Sequence, residues 1–306
     1  MSEPVRITEV ALRDGLQNEA AQIATVDKAH LAGLLARTGV DEIEVSSFVS
    51  SRWIPQLGDA AELFAMIAQD AGRWPLLSAL VPNARGMQSA LEVNARAGRQ
   101  VVGKVSVFTA ASETFSQRNT NATIAESLER FGPVLAMANE AGLPVRGYVS
   151  CIVACPFEGP IKPDAVAAVA SALAAAGVVE IDLGDTIGAA TPERLLDVLD
   201  AVGDALGKGW RAPGRLTVHL HDTFGGAAEC VRASLEWGIR SFDGSAGGLG
   251  GCPYASVEGR RAPGNISTMR LVETISGAGY RTAVDMEALR EASKFAEDIV
   301  ARSRGA

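Results

Sequence analysis

The stretch Pro163-Asp-Ala-Val-Ala-Ala-Val-Ala-Ser-Ala-Leu-Ala-Ala-Ala-Gly177-Val-Val-Glu-Ile-Asp-Leu183 reads as a helix, a capping glycine and a strand. Pro163–Ala176 is helix-like, Gly177 is the residue type that ends helices, and Val179–Leu183 is a short apolar run of strand type. The same junction recurs at Thr38-Gly39-Val40 and Ala141-Gly142-Leu143. Further strand-like runs lie at Val5–Ala11, Asp41–Ser46, Leu76–Val81, Val101–Phe108, Val145–Val153, Leu216–Leu220 and Ser241–Gly244. Between them stand helix-like segments that include Lys28–Thr38, Ile124–Ala141, Pro192–Leu206 and Gly226–Gly238. Strand–helix alternation at roughly 30–40 residues per unit implies parallel strands joined by crossover helices.

Eight such units in about 250 residues is the count of a closed (β/α)8 TIM barrel. An open doubly wound sheet is the alternative, but no Gly-x-Gly-x-x-Gly turn follows the first strand. Residues 1–306 are expected to form a single catalytic domain, with the barrel over about 5–250. A glycine-rich loop and a C-terminal helical extension occupy about 247–306. The extension includes a charged helix over about Met286–Arg302 and is expected to cap the barrel or form an oligomer surface.

Composition narrows the function. A hydrophobic share of 47% against 21% charged residues supports a buried core and excludes disorder. Net charge −8 and a pI near 5.1 disfavour non-specific affinity for nucleic acid or anionic lipid. No apolar run is long enough to span a bilayer, because Glu, Asp or Gly interrupts the longest Ala/Val stretches. The opening MSEPVRITEV enters a strand pattern almost at once, so neither a signal nor a transit peptide is expected. The ending ARSRGA is not a peroxisomal address. Cys151, Cys155, Cys230 and Cys252 are then expected to be reduced thiols in a cytoplasmic protein. The Cys151/Cys155 spacing suits a zinc half-site, but no second cysteine pair follows.

In such a barrel, functional groups collect at the carboxyl ends of strands. The seventh strand ends in Val218-His219-Leu220-His221-Asp222, with two of the chain's three histidines. Residues two apart on a strand share a face, so both imidazoles converge on one point suited to gripping a metal ion. A hydrogen-bonded polar pair is the alternative. The first strand ends in Arg13-Asp14-Gly15-Leu16-Gln17-Asn18-Glu19, and the second in Glu44 and Ser46-Ser47. The fifth carries Arg146, Tyr148 and Ser150, and the sixth Asp182 and Asp185-Thr186. The loop after the eighth reads Gly247-Gly-Leu-Gly-Gly-Cys252-Pro-Tyr254, with Asn265 beyond. Together these form a ring of ionisable groups around one barrel mouth.

Asp14, His219, His221 and the Asn265 amide oxygen make a mixed oxygen and nitrogen set without thiolate. It suits Mg2+ or Mn2+ better than a structural zinc, although two imidazoles keep Zn2+ open. Arg13 is a natural electrophile for a developing oxyanion, or else the salt-bridge partner of a neighbouring acid. Asp185-Thr186 is also a candidate N-cap for the helix near Pro192, at a long reach past Gly188 and Ala189. The glycine loop is a hinge and lacks the Lys or Ser/Thr of a phosphate cradle. Cys252 stands there instead, placed to act as acid or nucleophile.

These motifs resemble those of the 3-hydroxy-3-methylglutaryl-CoA lyases, metal-dependent TIM-barrel enzymes related to isopropylmalate and homocitrate synthases. The resemblance runs from residue 7 to about 270. It rests on Arg13-Asp-Gly-Leu-Gln-Asn-Glu19, Ser46-Ser-Phe-Val-Ser50 with Trp53 and Pro55-Gln56, and Ser112-Glu-Thr-Phe115. It continues through Val145-Arg-Gly-Tyr-Val-Ser-Cys151, Gly184-Asp-Thr-Ile-Gly188, His219-Leu-His-Asp-Thr223 and Gly248-Leu-Gly-Gly-Cys-Pro-Tyr254. The last is the lyase loop that the related synthases lack.

The resemblance implies cleavage of a 3-hydroxy-3-methylglutaryl-CoA-like thioester to acetyl-CoA and acetoacetate. The alternatives are a lyase or Claisen-type synthase for another 3-hydroxy-3-carboxymethyl acyl-CoA, or a non-catalytic acyl-CoA-binding barrel. By residue matching it implies Asp14, His219, His221 and Asn265 as ligands of Mg2+ or Mn2+. It implies Arg13 as stabiliser of the enolate and Cys252 as its proton donor, with either Asp14 or His219 as base. Glu44, Gln17, Asp185 and Arg146 would surround substrate and catalytic water, with Ser112 also placed at the substrate. It further suggests a homodimer, and leucine degradation or another acyl-CoA route. Departures are Leu12 where the family often has Pro, Ser245-Ala-Gly-Gly before the loop, and a longer link from Tyr254 to Asn265 that adds Arg260 and Arg261.

Overall fold

The 163–183 unit folds as read. Pro163–Ala176 is a helix with proline in its first turn and Gly177 at φ 106° behind it. The strand that follows covers Glu180–Asp185. The computed structural model of the chain describes residues 3–70, 72–251 and 264–304.

Eight parallel strands close into a barrel in the order β1-β8-β7-β6-β5-β4-β3-β2. They are β1 (Arg6–Glu9), β2 (Glu42–Ser47), β3 (Leu76–Leu80), β4 (Lys104–Ala110), β5 (Val145–Ser150), β6 (Glu180–Asp185), β7 (Leu216–Leu220) and β8 (Ser241–Gly244). The helices are α1 (Thr25–Ala36), α2 (Ala60–Gln69), α3 (Ala84–Ala97), α4 (Glu113–Thr120), α5 (Ile124–Glu140), α6 (Pro163–Ala176), α7 (Pro192–Leu206), α8 (Ala227–Trp237), α9 (Thr268–Gly277) and α10 (Met286–Arg304). The closed barrel is the TIM barrel expected from the alternation.

Period-two alternation divides the buried residues between two environments. Ile43, Val45, Val105, Val107, Val149, Ile181, Leu183, Val218 and Phe242 belong to the apolar core. Their neighbours in sequence, Glu42, Glu44, Lys104, Ser106, Arg146, Tyr148, Asp182, His219 and Asp243, are equally buried. They fill the inside of the barrel with charge where branched apolar layers are the rule. Such groups must be paired there. Lys104 Nζ donates to Glu42 Oε2 at 2.8 Å and also contacts Glu180. Arg146 reaches Glu180 Oε1 at 2.7 Å, Asp182 and Asp243 at 3.2 Å each, and Thr8 Oγ1 at 2.8 Å.

Several element ends differ from the reading; β5, for one, stops at Ser150 and not at Val153. β1 stops at Glu9, and Ala11–Gly15 coil into one π-helical turn, so Arg13 and Asp14 sit on a helical turn instead of a strand end. β4 begins at Lys104 because Asn94 Oδ1 takes the backbone N–H of Val101 and of Val102, both at 2.8 Å. α1 begins at Thr25, three residues earlier than read. The C-terminal helix caps the barrel: α10 packs on α1, Arg304 pairs with Glu19 at 3.0 Å, and Arg302 with Asp27 at 3.5 Å. Cys151 and Cys155 lie buried in an apolar cluster with Ala110 and Phe115. No helix among the described residues is long and apolar enough to cross a membrane.

Candidate functional site

The site forms where β7 ends. β7 pairs with β8 so that Asp243 lies beside His219, and with β6 so that Gly184 does. His219 Nε2 and His221 Nε2 are 3.3 Å apart, so strand spacing brings both imidazoles to one point as read. Asp14 Oδ2, from the turn after β1, lies 3.9 Å from His219 Nε2 and 3.8 Å from His221 Nε2. Donor atoms around one small cation lie about 3 Å apart when each bond is about 2.0–2.2 Å. The three groups meet that spacing with small adjustments, and all three are buried. His219 Nδ1 is held by Asp243 Oδ2 at 3.1 Å, which leaves the Nε2 lone pair facing the cluster. Among the described residues, buried His221 Nδ1 has no hydrogen-bond partner. The donor set therefore fits a divalent cation.

Asn265 stands beside this cluster. A backbone bridge ties it to His221, and its Nδ2 donates to Asp14 Oδ2 at 2.8 Å and to the Leu249 carbonyl at 3.0 Å. Gly250, at φ 108°, makes the approach possible: a Cβ there would lie 2.6 Å from Asn265 Nδ2.

Arg13 reaches Glu44 Oε2 through Nε at 2.5 Å and Asp14 Oδ1 through NH1 at 2.8 Å. It lies over the Tyr148 ring at 5.3 Å. Glu44 is itself fixed by the Ser106 hydroxyl at 2.6 Å and the Tyr148 hydroxyl at 3.1 Å. Gln17 Nε2 donates to Asp14 Oδ1 at 2.7 Å. Arg13 is therefore salt-bridged to neighbouring acids, with its guanidinium beside the cluster.

Burial drives the Asp14 carboxyl up, but Arg13 with His221 and His219 outweigh it and hold the group well below the usual carboxylate range. For His219 burial works downward, yet the hydrogen bond and charge of Asp243, with Asp14, raise it. Asp243 is lowered because Arg146 and His219 overcome its burial. Its neighbour Asp182 is raised well above the usual range by burial and then by Asp243, against the pull of Arg146.

Other expected site residues lie farther out. Asp185 takes the backbone N–H of Ala189 at 3.1 Å and of Ala190 at 2.8 Å, so it folds the loop after β6. Thr191, not Asp185 or Thr186, is the N-cap of α7. Burial raises the Asp185 carboxyl, while those amides and His221 lower it. Arg146 is enclosed beneath the mouth in the ion network of the barrel. Ser112 caps α4, accepting from Phe115 N at 3.1 Å, and its hydroxyl points to Cys155 Sγ at 3.1 Å. Cys252, Arg260 and Arg261 lie outside the described residues.

Asp243 and Glu9 stand at the site without having been among the expected residues. Asp243 was legible: in Ser241-Phe-Asp-Gly244, alternation sends Asp243 inward opposite Phe242. Glu9 had no such signal, because two of its three partners, Ala246 N and Thr268 Oγ1, lie 237 and 259 residues away in sequence.

A parallel (β/α)8 barrel with a carboxylate and two histidines converging at its mouth, backed by a buried arginine, defines a TIM barrel with a candidate metal centre. A profile of the HMGL-like family matches residues 4–296. A Pseudomonas aeruginosa protein, "3-hydroxy-3-isohexenylglutaryl-CoA/hydroxy-methylglutaryl-CoA lyase", is 43% identical over 305 residues, covering 100% of this chain and 96% of the relative. "Hydroxymethylglutaryl-CoA lyase" of Pseudomonas mevalonii is 43% identical over 289 residues, 94% of this chain and 90% of the relative. The crystal structure of the HMG-CoA lyase from Brucella melitensis superposes with a TM-score of 0.89 at 43% identity, over 98% of this chain and 100% of that one. The chain belongs to the HMGL-like family.

Proposed function

We propose that this protein is a divalent-cation-dependent carbon–carbon lyase that splits 3-hydroxy-3-methylglutaryl-CoA, or a close analogue, into acetyl-CoA and acetoacetate. The observation that carries the reading is the convergence of Asp14, His219 and His221 at 3.3–3.9 Å, with Arg13 hydrogen-bonded to the same carboxylate. Family membership at 43% identity over the full chain supports the reaction type. Asp14, His219 and His221 are the proposed holders of the cation, Mg2+ or Mn2+, with the Asn265 amide as their neighbour. Once bound, the cation would acidify and orient the substrate's tertiary hydroxyl.

The residues supply the rest. Asp14 or His219 takes the hydroxyl proton as base. The O–H electron pair becomes the ketone of acetoacetate, the C2–C3 bond breaks, and its pair enters the thioester carbonyl as an enolate. The Arg13 guanidinium, fixed by Glu44, stabilises that developing charge. A proton from Cys252 then completes the methyl group of acetyl-CoA, leaving a thiolate to be reprotonated. Gln17 steadies Asp14, and Asp185 shapes the loop after β6 beside the substrate. Arg146 acts from beneath, through Asp243, and Ser112 sets the start of α4.

A second substrate, with a longer group at C3, is favoured by the relative named for isohexenylglutaryl-CoA and by the longer Tyr254–Asn265 link. Product analysis tests both. Metal-loaded protein should release one acetyl-CoA per 3-oxo acid from one or both thioesters, and Cys252→Ala should slow that release. No turnover of either thioester sinks the lyase reading.

A further inference from the structure

Glu9, the last residue of β1, is fully buried and bonds to three donors on three different segments. Its Oε1 accepts from Ala11 N at 2.9 Å and from Ala246 N at 2.9 Å, and its Oε2 from Thr268 Oγ1 at 2.6 Å. Each donor stands at the entrance to part of the site. Ala11 opens the π turn that carries Arg13 and Asp14. Ala246 opens the turn Ala246–Gly248 that leads to Leu249 and Gly250, which bracket Asn265. Thr268 is the first residue of α9, just past Asn265.

The three segments also pack directly on one another. A Cβ on Gly15 would lie 3.1 Å from both Leu249 Cβ and Ser245 Oγ, and one on Gly244 would lie 2.8 Å from Thr268 Oγ1. The Ala11 and Ala246 amides lie in the first turns of short helical segments, where no intrahelical acceptor exists, so the carboxylate supplies the missing partner. Burial pushes Glu9 up to about 7; Thr268, Ala246 and Ala11 work the other way, and Asp243 adds to the rise.

We propose that Glu9 is a positioning residue: one carboxylate clamps the Arg13–Asp14 turn, the Ala246–Gly248 turn and the Asn265–α9 segment, and so sets Asp14 at cation-binding distance from His219 and His221. This inference rests on the metal-centre reading. A glutamine at this place keeps the size but offers one acceptor oxygen where the carboxylate offers two, so at least one of the three bonds is lost or, at the Thr268 hydroxyl, reversed. The remaining contacts of the cluster stay intact, so the change reaches Asp14 only through the turn.

Mn2+ binding followed by EPR, with hydrogen exchange of the metal-free protein, tests the proposal on wild type, Glu9→Gln and Thr268→Val. Wild type is expected to bind Mn2+. Glu9→Gln is expected to weaken binding by about 10-fold or more, on the scale of lost outer contacts at metal sites. Its Mn2+ line shape should change, and exchange should quicken at 11–15 and 245–251 while β4–β6 stay protected. Thr268→Val, which keeps both backbone bonds, should show a smaller loss of the same kind. Wild-type affinity, line shape and exchange in Glu9→Gln would overturn the proposal; if that variant does not fold, the same result in Thr268→Val overturns it. Absence of Mn2+ binding by wild type would overturn the metal-centre reading itself, a result separable from the others.

Discussion

Asp243 Oδ2 holds His219 Nδ1 at 3.1 Å, and Arg146 NH1 stands 3.2 Å from the other oxygen of the same carboxylate. The imidazole that faces the candidate cation site is therefore anchored to an ion network filling the barrel. Asp243→Asn keeps the size but no longer fixes His219 with its proton on Nδ1. Cation affinity should fall about 10–100-fold, the range typical of lost carboxylate–histidine contacts at metal sites. A Mn2+ titration checks this, and unchanged affinity would detach Asp243 from the site.

Arg13 offers a fork of donors, with Nε to Glu44 and NH1 to Asp14. Arg13→Lys retains the charge and loses that geometry. The turnover number should drop roughly 10²–10³-fold, as for removal of a fixed oxyanion donor, with little change in KM. Steady-state kinetics separate the two, and a rise in KM alone would make Arg13 a substrate anchor.

Two substrate-side residues behave as structural parts of the fold. Arg146→Met takes the buried guanidinium from Asp243 and leaves Glu180 with Lys104 alone, and should destabilise the protein by about 3–5 kcal/mol. Ser112→Ala removes the cap of α4 and should lower stability by about 1 kcal/mol with KM unchanged. Urea unfolding and kinetics check both; an intact fold with raised KM in either would place that residue at the substrate.

Glu9 gives the metal-free protein a defined pH response. Its folded value of about 7 lies above the ordinary 4.5, so the folded state holds the proton more tightly. The stability this contributes is fully present below about 4.5 and is lost as pH rises through about 7, a change on the order of 3 kcal/mol. The difference in unfolding free energy between wild type and Glu9→Gln should therefore shift toward the variant between pH 5 and 8. Parallel profiles would contradict the raised value of buried Glu9.

The barrel was legible because its signals are local. Gly177 behind Ala176, and the Leu216–Leu220 and Ser241–Gly244 runs, fall where they were read. The His219–His221 convergence follows from strand period alone. What was hidden depends on side-chain partners that no periodicity in the sequence reveals. β1 ends early where Glu9 captures Ala11 N, and β4 starts late where Asn94 captures Val101 and Val102. The charged lining was hidden for the same reason: Lys104 reads as a surface residue until β4 pairs with its neighbours and Glu42 and Glu180 surround it.

The central claim is that one divalent cation, held by Asp14, His219 and His221, drives carbon–carbon cleavage. The most direct measurement is the rate of acetoacetate release by EDTA-stripped protein as Mn2+ is returned, with bound Mn2+ recorded in the same samples, for wild type and His221→Ala. The account predicts that wild-type rate follows occupancy to one ion per chain, and that His221→Ala neither binds tightly nor turns over at the same Mn2+. Turnover that survives both chelation and His221→Ala would contradict it.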